Sequence, residues 1–125
     1  MGAQVVLNAD LIPNGISVGV SGTINTAGSP IVLISDAKGN NYTFVGSGNP
    51  GYLYLQNGPV TPKTIVANMP LTIQFENQNA ATMLPAKATI QTPTATGLNV
   101  IMVGSEDGTD NDFNDCVLLL YWPVG

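Results

Sequence analysis

The spacing of the apolar residues limits the possible folds of this sequence more than any other feature. Short apolar or alternating runs are interrupted every few positions by Gly, Pro or Asn, and almost no stretch has the helical period. In residues 16–24, read ISVGVSGTI, β-branched residues alternate with small residues. Short apolar runs separated by Gly, Pro and Asn are typical of an all-β chain whose strands are joined by tight turns.

We expect an antiparallel β-sandwich of the jelly-roll kind with about nine short strands. Candidate strands include residues 4–7, 16–24, 30–35, 52–56, 71–75, 86–91, 99–103 and 116–122. Residues 76–81 are expected to form a polar loop. With 125 residues and no visible linker or repeat, residues 1–125 are predicted to form one domain.

The final candidate strand, residues 116–122 with the sequence CVLLLYW, is apolar on both faces. Because side chains alternate between the two faces of a strand, it needs cover on both sides. The core of the domain can cover one face, and a partner subunit the other. Cys116 opens this strand, and we expect a buried, inert thiol.

A cluster of acidic residues lies immediately before this strand. Five of the eight acidic residues fall within ten positions: Glu106, Asp107, Asp110, Asp112 and Asp115. Only three lysines and no arginine are present to neutralise them, whereas carboxylate and amide oxygens are the ligands that calcium prefers. The D-x-D-x-N spacing of Asp110, Asp112 and Asn114 supports a calcium loop. The alternative is a solvated acidic turn between two strands.

Charge and composition exclude several classes of function. A net charge of −5 with three basic residues argues against nucleic acids and anionic membranes. The absence of His, together with a single Cys, excludes zinc sites and Ser-His or Cys-His catalytic pairs within one chain. The N-terminus lacks the features of a conventional signal peptide. We therefore expect a cytoplasmic protein, or one exported to the cell surface without such a signal.

Residues 103–125, VGSEDGTDNDFNDCVLLLYWPVG, closely resemble the C-terminus of the small bacterial calcium-dependent lectins that bind fucose and mannose. The resemblance extends to the turn at Asn25. It implies a β-sandwich homodimer, sometimes assembled further into a tetramer, with two calcium ions (Ca²⁺) in each site. It also implies that sugar hydroxyls bind directly to both ions and that the protein is not an enzyme.

The same resemblance implies particular site residues. The calcium ligands would be Asn25, Glu106, Asp110, Asp112, Asn114, Asp115 and the terminal carboxylate of Gly125 from a neighbouring subunit. The sugar-binding residues would be Thr26, Ala27, Gly28, Asp107, Asp110, Asp112, Asn114 and Gly125. In this family a hydroxyl at the position of Thr26 accompanies fucose binding, so fucose is weakly favoured and mannose is also expected to bind.

Two other functions are compatible with a cluster of carboxylates. A structural or adhesive β-domain could use calcium only to order its last loop, without binding a monosaccharide. A glycoside hydrolase is disfavoured, because it needs one carboxyl kept neutral and calcium would keep all of them ionised. Tyr52, Tyr54 and Trp122 could stack on a sugar, but roles in the core or in an interface are favoured.

Overall fold

In a computed structural model, the described residues are 4–25, 29–48, 50–56, 63–77, 82–83, 86–91, 97–105 and 115–123. Within these ranges the chain forms twelve β-strands and no helix that could cross a membrane. The strands are β1 (Gln4–Leu7), β2 (Ser17–Ile24), β3 (Pro30–Ser35), β4 (Asn41–Val45), β5 (Gly51–Tyr52), β6 (Tyr54–Leu55), β7 (Lys63–Val66), β8 (Leu71–Asn77), β9 (Thr82–Met83), β10 (Ala86–Gln91), β11 (Leu98–Ser105) and β12 (Cys116–Pro123).

The strands form two antiparallel sheets. Sheet A has the order β1-β8-β3-β4-β6, with β9 also beside β8. Sheet B has the order β10-β11-β12-β2-β5, with β7 sharing the outer edge of β2. Side chains from both sheets pack into one core, which confirms the predicted all-β sandwich.

Alternation along the strands builds this core. On β12 the even-numbered residues are buried, and Cys116 is among them, as predicted. The buried side chains of the two sheets include Leu7, Val20, Ile34, Phe44, Ile73, Phe75, Ile101, Leu118 and Leu120. Of the odd-numbered residues, Val117, Leu119 and Tyr121 are half-buried on the outer face of sheet B, and Pro123 is exposed. The doubly apolar pattern of this strand therefore corresponds to one buried face and one partly exposed face.

The predicted strand 52–56 is in fact two strands that belong to different sheets. Tyr52 pairs with Thr23 in sheet B, whereas Tyr54 pairs with Val45 in sheet A. Leu53, between them, is buried and donates its N–H to the carbonyl of Gly22 at 3.0 Å. A Cβ at Gly22 would collide with the side chain of Leu53, so glycine permits this close crossing.

The segment predicted as a polar loop, residues 76–81, is a strand over its first two residues. Glu76 pairs with Ile31 and Asn77 pairs with Pro30, because β3 continues far enough to offer ladder partners. Pairing with a neighbouring strand therefore overrides the polar character of these two residues.

The two ends of sheet B carry different groups of loops. At the upper end, β2 ends at Ile24, β11 ends at Ser105 and β12 begins at Cys116. At the lower end, β12 ends at Pro123, opposite the start of β11 at Leu98. Asp115, the last residue of the acidic cluster, lies at the upper end, directly before β12.

Asp36 organises the turn between β3 and β4. Its carboxylate accepts hydrogen bonds from the side-chain amide of Asn68 at 2.9 Å, from the side-chain amide and N–H of Asn40 at 2.9 and 2.8 Å, and from the N–H of Lys38 at 2.9 Å. Led by the bond from Asn68, these donors lower the pKa of Asp36 to about 2. The carboxylate thereby ties this turn to the segment that joins β7 and β8.

Replacing Asp36 with Asn is expected to lower the melting temperature by a few degrees near neutral pH. Because the folded-state pKa of Asp36 lies below the ordinary value of 3.8, ionised Asp36 stabilises the fold above that pH. This contribution is lost as the pH falls through about 2. Thermal melts of both proteins across this range should therefore converge at low pH. A difference that does not vary with pH would contradict this account, and Asp10→Asn controls for the loss of one exposed charge.

Candidate functional site

Three strands of sheet B meet at its upper end, where Asn25 and Asp115 lie. Cys116, the first residue of β12, pairs with Ile24 on one side and with Ser105 on the other. The end of β2 at Ile24 therefore lies beside the start of β12 at Cys116, where the acidic segment of the sequence ends. Strand order alone brings two distant parts of the sequence together here.

Direct hydrogen bonds join these segments. The N–H of Asn25 donates to the carbonyl of Asp115 at 2.8 Å, and the N–H of Asp115 donates to the carbonyl of Ser105 at 3.2 Å. The hydroxyl of Ser105, which is fully buried, donates to the carbonyl of Cys116 at 3.2 Å. The first two bonds use only backbone atoms, so they fix the chain at Asn25 and Asp115 without using either side chain.

The segment before β5 forms a third neighbour of this region. Gly51 pairs with Ile24, and Gly48 bridges to Gly51. A Cβ at Gly46 would lie 2.6 Å from the Cδ1 atom of Ile24, and Gly48 has a φ of 111°. The glycines therefore let this segment approach the end of β2 closely. The sequence analysis predicted no contacts for this part of the chain. Its glycines were the feature that could have indicated a close approach of the backbone.

Asn25 and Asp115 are the predicted site residues that the structure describes, and it brings them together. The remaining predictions lie outside the described residues: Thr26, Ala27, Gly28, Glu106, Asp107, Asp110, Asp112, Asn114 and Gly125. Within the described ranges, no three His, Cys, Asp or Glu side chains come together as a metal-binding group. The segment 106–114, which holds four of the five clustered acids, is flanked by Ser105 and Asp115, whose backbones are hydrogen-bonded to each other.

The donor chemistry at this end fits calcium. Asn25 is exposed and Asp115 is half-buried, and their side chains carry amide and carboxylate oxygens. The adjoining segment adds only further oxygen donors, whereas the nearby Cys116 thiol is buried. Oxygen-only sets of this kind suit hard cations rather than zinc.

The three candidate stacking aromatics have different surroundings. Trp122 is buried in the core, and Tyr54 is half-buried on β6, whereas Tyr52 is 68% exposed. A role for Tyr52 in the core of the protomer is therefore excluded.

Cavities near Trp122 lie at the lower end of the sandwich, away from Asn25 and Asp115. The larger has a volume of about 320 Å³ and is lined by Pro13, Ile16, Ser17, Asn99, Trp122 and Pro123. These lining residues include no carboxylate, so this cavity lacks the chemistry of the predicted calcium site.

Comparison with solved structures identifies the class of protein. The fold resembles a high-affinity mannose-binding lectin of Ralstonia solanacearum, with a TM-score of 0.73, 29% identity and 96% of each chain covered. It also resembles Chromobacterium violaceum lectin CV2L, solved with α-methyl-fucoside, with a TM-score of 0.69, 26% identity and 96% of each chain covered. The C-terminal domain of the Burkholderia cenocepacia lectin BC2L-C shares the fold at 20% identity, with a TM-score of 0.73 and both chains fully covered. The class is a β-sandwich lectin.

The family follows from the sequence. The model of the fucose-binding lectin II (PA-IIL) family matches residues 10–124, so the chain belongs to that family. Comparison with curated protein sequences gives no significant match. Family membership confirms the predicted resemblance and the expectation of a carbohydrate-binding lectin rather than an enzyme.

Proposed function

We propose that this chain is a calcium-dependent lectin that binds fucose and mannose through two calcium ions at the upper end of sheet B. The observation that carries the proposal is the 2.8 Å hydrogen bond between the backbones of Asn25 and Asp115. This bond joins the first predicted ligand to the last residue of the acidic cluster. The lectin relatives named for mannose binding and solved with a fucoside support the choice of sugars.

The charge balance of the acidic cluster supports a pair of ions. Two divalent cations carry four positive charges, which five side-chain carboxylates and one terminal carboxylate can offset. In the proposed site, Glu106, Asp110, Asp112 and Asp115 hold one ion. The second ion would be held by Asp112 and Asp115 together with Asn114, Asn25 and the partner's Gly125. When bound, calcium would supply coordination positions for the hydroxyl oxygens of the sugar.

The backbone is fixed at two residues of the proposed site before any ligand binds. Backbone hydrogen bonds hold Asn25 and Asp115, and the buried hydroxyl of Ser105 secures the start of β12. A fixed backbone loses little conformational freedom on binding, which favours affinity. Asp107, Asp110, Asp112 and Asn114 would also hydrogen-bond the sugar, while Thr26, Ala27 and Gly28 would border it and set the preference between fucose and mannose.

The direction of β12 supports a homodimer. The strand runs for eight residues from Cys116, so Pro123 lies about 26 Å along it from Asp115. The two residues after Pro123 can span at most about 7 Å. Gly125 therefore cannot reach the Asp115 of its own chain, and in the proposed site the terminal carboxylate comes from a second copy.

The outer face of sheet B is the proposed dimer surface. Its centre carries apolar, half-buried side chains from β11 and β12: Val100, Met102, Val117, Leu119 and Tyr121. Apolar composition of this kind is typical of the centre of homodimer interfaces. A two-fold dimer would share both sites symmetrically. The dimer, or a tetramer built from two dimers, would bind fucosylated or mannosylated glycans with added avidity.

Titration calorimetry with methyl α-fucoside and methyl α-mannoside, in calcium and again in EDTA, tests this function. We expect micromolar binding of at least one sugar in calcium and none in EDTA, together with a calcium-dependent rise in melting temperature. Equal binding in EDTA would contradict the role of calcium. Calcium binding without any response to sugar would instead favour a structural β-domain with a calcium-ordered loop.

A further inference from the structure

Tyr52 is the most exposed large apolar side chain among the described residues. It is 68% exposed, compared with 47% for Val6 and 44% for Val66. The interpretation of this aromatic as a core residue is excluded by that exposure. Its position relative to the proposed sugar site suggests a different role.

Tyr52 lies close to the two described ligand positions. It pairs directly with Thr23, which lies two residues before Asn25 on the same chain segment. A diagonal pair of this kind is separated by about 7–8 Å, which is within reach of an aromatic side chain. On its other side Thr23 pairs with Val117, two residues after Asp115. The ring therefore lies on the row of sheet B that adjoins Asn25 and Asp115.

The backbone that carries Tyr52 is held on several sides. Leu53 is buried and bonded to Gly22, and Gly51 pairs with Ile24. Gly46 also approaches the Tyr52 carbonyl so closely that a side chain there would collide with it. An exposed ring on a fixed strand offers a contact surface that loses little freedom on binding.

We propose that Tyr52 forms a second sugar subsite, which contacts the residue linked to the calcium-bound fucose or mannose. This inference rests on the proposed function. The ring face would pack on the apolar C–H face of the second sugar, and the phenol hydroxyl would bond to its hydroxyl groups, as expected of an amphipathic aromatic. The protein therefore discriminates oligosaccharides from simple glycosides at a position outside the acidic cluster.

The position of Tyr52 separates this role from dimerisation. In sheet B, β5 is two strands away from β12, which corresponds to about 10 Å. The proposed dimer surface is centred on β11 and β12, so Tyr52 lies at its margin. Val66, exposed on the same edge of β2 but paired with Ser17 at the other end, provides a matched control.

The test compares wild type, Tyr52→Ala, Tyr52→Phe and Val66→Ala by calorimetry in saturating calcium. The probes are methyl α-fucoside and a trisaccharide ending in fucose, with methyl α-mannoside and an α-linked mannobiose as a second pair. Wild type is expected to bind each longer glycan about three- to tenfold more tightly than its methyl glycoside. Tyr52→Ala should remove this gain and leave binding of the methyl glycosides within about twofold. Tyr52→Phe should keep most of the gain, and Val66→Ala all of it.

The outcomes distinguish the subsite from the function on which it rests. If wild type binds no methyl glycoside, the proposed function itself is overturned. If methyl glycosides bind but the longer glycans gain nothing, or if Tyr52→Ala weakens both equally, the subsite alone is overturned. Dissociation of the Tyr52→Ala dimer in sedimentation experiments would assign the ring to the subunit interface and also overturn the subsite.

Discussion

Replacing Asp115 with Asn is expected to weaken sugar binding by at least about 100-fold and to abolish the stabilisation by calcium. The backbone N–H and carbonyl of Asp115 make the hydrogen bonds to Ser105 and Asn25, and the substitution leaves both groups in place. Asn also has nearly the same shape as Asp. The expected loss of binding is therefore due to removal of the negative charge that the two proposed ions share. Calorimetry with the preferred methyl glycoside and melting curves with and without calcium measure both effects.

Asp10→Asn is the matched control, because it removes the same charge from an exposed turn that lines a cavity with Asn99 and Trp122 at the lower end of the molecule. It should bind sugar and calcium as wild type does. Wild-type sugar affinity in Asp115→Asn would rule out the proposed two-ion site. Asp112→Ala, which removes the other proposed bridging ligand, should behave like Asp115→Asn.

Extending the chain by a short peptide after Gly125 is expected to weaken sugar binding about tenfold or more. The proposal requires the terminal carboxylate of Gly125 as a ligand in the partner's site, and an added peptide bond removes that charge. The same peptide added before Met1 should have no effect, since no N-terminal residue is a proposed ligand. Calorimetry on the two tagged proteins measures the difference.

Sedimentation of both tagged proteins separates loss of the ligand from loss of the dimer. We expect the C-terminally tagged protein to remain dimeric, because the apolar surface of sheet B is unchanged. Equal sugar affinities of the two tagged proteins would exclude the shared terminal carboxylate.

The strands were predictable where a local pattern is complete. The strands at residues 30–35 and 86–91 have the predicted bounds. The strand predicted at residues 116–122 is one residue longer than expected and ends at Pro123. The change of sheet at Leu53 could not be predicted, because residues on both sides of it continue the same alternation. The change of sheet depends on the hydrogen bond from the N–H of Leu53 to the carbonyl of Gly22, which joins residues far apart in the chain.

Composition alone predicted the acidic donors of the candidate site, and the family resemblance placed Asn25 with them. The acidic residues are visible in the sequence, and their repulsion indicates a cation. The contact between Asn25 and Asp115 depends on the strand order β11-β12-β2, which no local pattern encodes. The exposure of Tyr52 likewise depends on which edge of β2 receives β5. The assignments within residues 106–114 stay predictions.

In the proposed assembly, the direction of β12 makes sugar affinity depend on protein concentration. The strand starts one residue after Asp115, a proposed ligand of its own site, and ends two residues before Gly125, the proposed ligand of the partner's site. A protomer released by dilution keeps most of its carboxylates but loses the one supplied from outside. Dilution that shifts the subunits from dimer to monomer should therefore also weaken the apparent sugar affinity. Sugar and calcium, in turn, should hold the two chains together, since linked equilibria are reciprocal.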